Sequence, residues 1–146
     1  MKHLGQFFCV FLGLSSQTAI AWEFTPGTPC LLTHVSADLE IELTYHPAAP
    51  MYSHSVTQSQ SFNPAPIFSI RFGNTMPISI STDRHRLSNE NRTVSVIDSG
   101  FGNVLNGLQF NEFATIGLGT QLIDVPLIDA AGAVAKFRAC DVLPTA

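Results

Sequence analysis

The segment "ISTDRHRLSNENRT", residues 80–93, carries two acids, three arginines and a histidine in a chain otherwise sparse in charge. If Ile78 and Ile80 point into a core, period two takes Thr82, Arg84 and Arg86 to the same side. It turns Ser79, Ser81, Asp83 and His85 outward. Asp83 and His85 are then same-face neighbours, roughly 7 Å apart at their Cα atoms. A carboxylate so placed fixes an imidazole tautomer and raises its pKa, which is half of an acyl-transfer triad. No G-x-S-x-G elbow supplies the nucleophile. The arginines offer a second chemistry, since guanidinium groups bind carboxylate and phosphate oxygens. The plainest reading is a hairpin tip whose charges of Arg84, Arg86 and Arg92 stay in water and blunt edge pairing. The candidate binding residues are Asp83, Arg84, His85 and Arg86, for a small anionic ligand or an acidic partner.

A second candidate set is His34, His46 and His54, on or beside three successive strands, with Glu40 or Glu42 nearby. One sheet that gathered them would make a divalent-metal site. The chain has no HExxH or HxH spacing, and the alternative is scattered surface histidines. No resident metal and no cofactor is expected.

These residues need an apolar frame, and the sequence supplies one in period two. In "DLEIELTYH", Leu39, Ile41, Leu43 and Tyr45 alternate with Glu40, Glu42, Thr44 and His46, the pattern of a half-buried antiparallel strand. "CLLTHV" precedes it across the turn Ser36-Ala37, and "MYSHSVT" follows the Pro47–Pro50 corner. "PIFSIRFG", "MPISIST" and "RTVSVID" continue the pattern, and "ATIGLG" with "QLIDVPL" reads as a hairpin. Phe101, Val104, Leu105 and Leu108 are spaced for a short helical segment near 101–109, weakened by two Asn and two Gly. Asp129 is placed as the N-cap of a helix near 130–140, with Val134, Phe137 and Cys140 on one face. Lys136 and Arg138 suit its C-terminal end. Trp22 and Phe24 are expected to pack on the sheet edge. The expected fold is one mainly β, antiparallel, sandwich-like domain with a short helical segment and a C-terminal α-helix.

The first 21 residues read as a signal peptide. Lys2 is followed by an apolar run from Leu4 to Leu14, and Ala19-Ile20-Ala21 places small residues for cleavage before Trp22. Gln6-Phe7-Phe8 before Cys9 lacks the small residues of a lipoprotein signal. The remaining chain, 22–146, is long enough for one domain. It has six bases against eleven acids, leaving five negative charges. That balance argues against general nucleic-acid binding, and the absence of a GxxxxGK[ST] loop argues against a nucleotide motor. No stretch is long and apolar enough for a membrane span.

After cleavage two cysteines remain, Cys30 and Cys140. In an exported chain they most simply form one disulfide, whereas metal binding by both needs further ligands that no nearby spacing supplies. A periplasmic or secreted protein is expected. Asn91-Arg92-Thr93 also matches a glycosylation triplet, which matters only in a glycosylating host.

"AWEFTPGTPCLLTH", "ELTYHPAAPMYS", "FSIRF", "ISTDRHRLS", "GFGNVLNGLQFN" and "AVAKFRAC" resemble a group of short exported alphaproteobacterial proteins of unassigned function. Some of that group carry the name of the excinuclease ABC helicase component, which an acidic, exported chain without helicase motifs contradicts. A looser similarity runs to the invasion-associated locus B proteins. That resemblance implies a periplasmic β-sandwich with a small-residue helix and cysteine near its end. The mid-chain Cys pair of those proteins is absent here. Neither resemblance supplies a catalytic residue. The reading is a non-enzymatic binding or envelope-interaction module. The rival is a small hydrolase or metal-dependent enzyme built on Asp83 and His85, or on His34, His46 and His54.

Overall fold

Among the described residues, β-branched and aromatic side chains at alternate positions build ten strands, because each strand can bury one row of side chains against a facing sheet. The computed structural model describes residues 21–140. The expected leader, apart from Ala21, and the chain beyond Cys140 lie outside the described residues.

The strands are β1 (Trp22–Thr25), β2 (Cys30–Val35), β3 (Leu39–His46), β4 (Met51–Gln58) and β5 (Phe68–Gly73). They continue with β6 (Ile78–Thr82), β7 (Arg86–Ser88), β8 (Thr93–Asp98), β9 (Phe113–Leu118) and β10 (Gln121–Pro126). Helix α1 (Gly102–Phe110) joins β8 to β9, and α2 (Ala130–Arg138) follows β10. The fold is a mainly β sandwich of two antiparallel sheets, ordered β1-β2-β3-β4-β8-β7 and β10-β9-β5-β6.

The alternation in β3 sets the core of the first sheet. Ile41 lies opposite both His34 and Val56, and Leu43 opposite both Leu32 and His54. All six side chains are buried. From the second sheet Phe68, Ile70, Phe72, Ala114, Ile116 and Leu118 face them. Burying each large aliphatic or aromatic side chain contributes about 1.5–3 kcal/mol. Trp22 is buried on the edge strand β1, where its indole N–H donates to the Pro126 carbonyl at 3.2 Å.

The helices close the sandwich through the residues whose spacing marked them. Val104, Leu105 and Leu108 of α1 are buried, and so are Ala130, Val134 and Phe137 of α2. Gly107 lies directly against the Phe72 ring, so close that a Cβ would collide with it. One expectation is corrected at the start of α2. Asp129 occupies the N-cap position with φ 63°, and its side chain makes no capping hydrogen bond. The left-handed backbone turns the carboxylate away from the free amides of the first turn. Lys136 and Arg138 do lie in the last turn, where they favour the helix dipole. Beyond α2, Cys140 stands at disulfide distance from Cys30, with Cα atoms 6.4 Å apart.

The charged segment also departs from expectation. Residues 80–93 do not form one hairpin from β6 to β8, because β6 belongs to the second sheet and β7 to the first. Residues 83–85 carry the chain across between sheets. The hairpin that does form is the short pair β7–β8, with Leu87 opposite Val94. Its turn places Asn89, Glu90 and Asn91 in succession at positive φ, 53°, 56° and 61°. The segment before β5 fastens this turn: Phe62 N–H donates to the Asn91 carbonyl at 2.7 Å, and Ser61 Oγ to the Glu90 carbonyl at 2.9 Å.

Candidate functional site

In the crossing 83–85 the alternation that began in β6 is interrupted, and the faces are assigned anew by β7. Arg86 pairs with Ser95 and points outward, whereas Leu87 pairs with Val94 and points inward. The expected inward arginine and outward histidine are therefore reversed. His85 turns toward the space between the sheets, its ring centroid 6.3 Å from that of Phe68. Its Nδ1 is buried without a hydrogen-bond partner. Asp83 is exposed, and no hydrogen bond links it to His85 among the described residues. The half-triad is not assembled.

Arg84 takes a different partner. Its guanidinium donates to the carboxylate of Asp98, the last residue of β8. Asp98 also accepts the backbone N–H of Ser99 at 2.7 Å. That amide, with the Arg84 charge and the Gly100 amide, holds the Asp98 carboxyl below the usual carboxylate range. The Arg84 side chain remains 65% exposed. Asp83, Arg84, His85 and Arg86 line one open depression of about 610 Å³ with Ser95 and Ile97. Two guanidinium groups on such a surface provide forked donors for a carboxylate or phosphate, with Arg84 already shared with Asp98.

Asp98 was not singled out by sequence reading. A signal was there: it shares the parity of Val94 and Val96, so period two carries it to the inner face at the strand's end. What hid it was the assumption of a continuous hairpin, which gave Arg84 no route to that end of β8.

The other histidines are separated by the same alternation. His34 and His54 point inward and are buried, 2% and 5% exposed, which corrects their reading as surface residues. His46 ends β3 on the opposite parity and is exposed. Glu40 and Glu42 share that outer parity. Among the described residues no group of three or more His, Cys, Asp or Glu side chains is close enough to hold a metal ion. His34 stacks on Trp22 with centroids 5.0 Å apart, its Nδ1 buried without a partner. Burial lowers the pKa of both imidazoles, that of His54 to about 4. A cation between the sheets would lose its hydration, so these rings stay neutral.

A larger depression, about 880 Å³, lies away from the charged segment, on the outer side of the second sheet. Phe113, Pro126 and Ile128 form its apolar surface, and Glu112 and Asp124 supply carboxylates. Thr115 Oγ1 donates to Asp124 at 3.0 Å, and Asn74 Nδ2 to Glu112 at 2.9 Å. It holds neither a basic side chain nor a histidine. Among the described residues no helix is long and apolar enough to cross a membrane. No family model, no curated protein and no solved structure matches the chain.

Proposed function

We propose that the chain is an exported binding module of the periplasm or extracellular space, without chemistry of its own. Its partner is an acidic envelope component or a small anion, met by the depression around Arg84 and Arg86. The leader pattern of residues 1–21 supports export. The approach of Cys30 to Cys140 supports oxidation to a disulfide in that compartment.

One observation carries the binding reading. The crossing 83–85 leaves two guanidinium groups on a single open surface, while the His85 ring packs toward Phe68 and makes no hydrogen bond to Asp83. Cations displayed together, with no hydrogen bond joining Asp83 to His85, favour recognition over catalysis. Titration of the folded chain with inorganic phosphate and with a glutamate-rich peptide, followed by backbone amide NMR, tests this. Perturbed amides should cluster at residues 83–86, 95 and 97, and Arg86→Ala should weaken binding at least tenfold. Unchanged affinity in Arg86→Ala would remove this surface from the function.

A further inference from the structure

The ion pair of Arg84 and Asp98 lies at one side of a space between the two sheets. Phe68, Ile70 and Ile80 enclose it from the second sheet, and His54 and Val96 from the first. Phe101 and Val104 close the end where the chain enters α1. The volume is about 140 Å³. Close-packed interiors leave few voids larger than a water molecule. A comparable apolar cavity, about 150 Å³, takes up benzene.

The walls differ from a simple packing defect in carrying polar groups, among them His54 and the Arg84–Asp98 pair. His54, neutral through burial, offers one ring N–H and one bare nitrogen. Asp98 and Arg84 also line the cavity, and together they carry no net charge. A carboxylate entering here would have to take Arg84 from Asp98 and then stand beside the abandoned carboxylate. A hydroxyl avoids that conflict, because it can donate to an Asp98 oxygen while Arg84 stays in place. The apolar walls take a flat ring of benzene size against Phe68 and Phe101.

We infer that this inter-sheet cavity is a second binding site, for a small neutral monocyclic aromatic bearing one hydroxyl group. It uses the inner face of the sandwich and shares only Arg84 with the outward surface around Arg86.

Phenol, benzyl alcohol, benzene and benzoate are the probes, each titrated into the folded, oxidised chain while side-chain NMR signals of Val96, Val104, Ile80 and His54 are followed. Phenol or benzyl alcohol should bind saturably at about millimolar concentration or tighter, a reasonable strength for so few heavy atoms. Benzene should bind at least threefold more weakly, and benzoate at least tenfold more weakly. Ile80→Phe fills the cavity from its half-buried rim, and Val104→Leu does so more gently from α1. Each variant is first checked for an unchanged folded amide spectrum, and whichever folds should lose at least tenfold in phenol affinity. Absence of saturable shifts with all four probes would overturn the proposal. So would full phenol affinity in a folded, cavity-filled variant, or benzoate binding as tightly as phenol.

Discussion

Arg84 reaches from the crossing between the sheets to Asp98 at the end of β8, and this pair joins the exit of the second sheet to the first. The Ser99 amide and the arginine both favour the ionised carboxylate, so its folded pKa is depressed. A depressed carboxyl contributes stability above its unfolded pKa, and that contribution disappears as pH falls through the folded value. Arg84→Ala should therefore raise the Asp98 pKa toward the ordinary aspartate range while leaving the Ser99 contribution. Carboxyl carbon NMR of Asp98 through an acid titration measures the change. An identical midpoint in both proteins would show that the pair is too hydrated to matter.

His54 gives a pH dependence in the same direction by a different cause. In the unfolded chain it takes a proton near 6.5, whereas the folded core keeps it neutral down to about 4. The unfolded state then binds more protons, so stability falls as pH drops between those values. Below about 4 this group adds no further loss. The full effect is on the order of 3 kcal/mol, and His34 acts in the same sense. Urea unfolding at pH 7.5 and 4.5 should show the loss, and His54→Phe should remove most of its own share. Equal slopes in both proteins would place the titration elsewhere.

Gly107 separates packing from helix propensity. Alanine is about 1 kcal/mol better than glycine inside a helix. At this position, however, the new Cβ would collide with the Phe72 ring. Overpacking of this kind costs about 1–3 kcal/mol, so Gly107→Ala should lower stability despite the better helix former. Gly102, at the start of the same helix, has open space at its Cβ position. Gly102→Ala should be neutral or slightly stabilising. Chemical denaturation of the two variants side by side gives the comparison.

The turn after β7 places a glutamate where asparagine or glycine is at ease. Asn89 and Asn91 tolerate positive φ, but Glu90 at φ 56° carries the left-handed penalty of about 1–2 kcal/mol. Its ion pair with Arg92 is loose, at 3.8 Å, and exposed, so it offsets little. Glu90→Gly should be more stable than Glu90→Ala by roughly 1 kcal/mol, after allowing for glycine's greater unfolded freedom. Thermal unfolding of both variants decides it, and the reverse order would contradict the assignment of strain.

Much of this fold is written in local patterns. Leu39 to Tyr45 declares its inner face by alternation, and Phe101 to Leu108 declares a helix by spacing even with two glycines. The meeting of Cys30 with Cys140 follows from their isolation in the chain. The pairing of strands is another matter. Ile78–Thr82 and Thr93–Asp98 have the same period, but periodicity names a face and never a neighbour. Three residues of crossing, 83–85, were enough to put them in different sheets and reverse the orientation expected for Arg86 and His85.

The candidate site was legible as a segment and illegible as a geometry for that reason. His34 shares parity with Leu32, and His54 with Val56, so their burial was readable from the same alternation. Polarity alone misdirected them to the surface. Gly107 was also misjudged, since its role depends on Phe72, distant in sequence and brought close only by the second sheet.

Function in this account depends on the compartment in which the domain matures. The direct measurement is the intact mass of protein recovered from its native cells, before and after reduction and thiol alkylation. The expected product begins at Trp22 and accepts two alkyl groups at Cys30 and Cys140 only after reduction. A cytoplasmic product that retains residues 1–21 and alkylates at both cysteines without reduction would contradict an exported binding module.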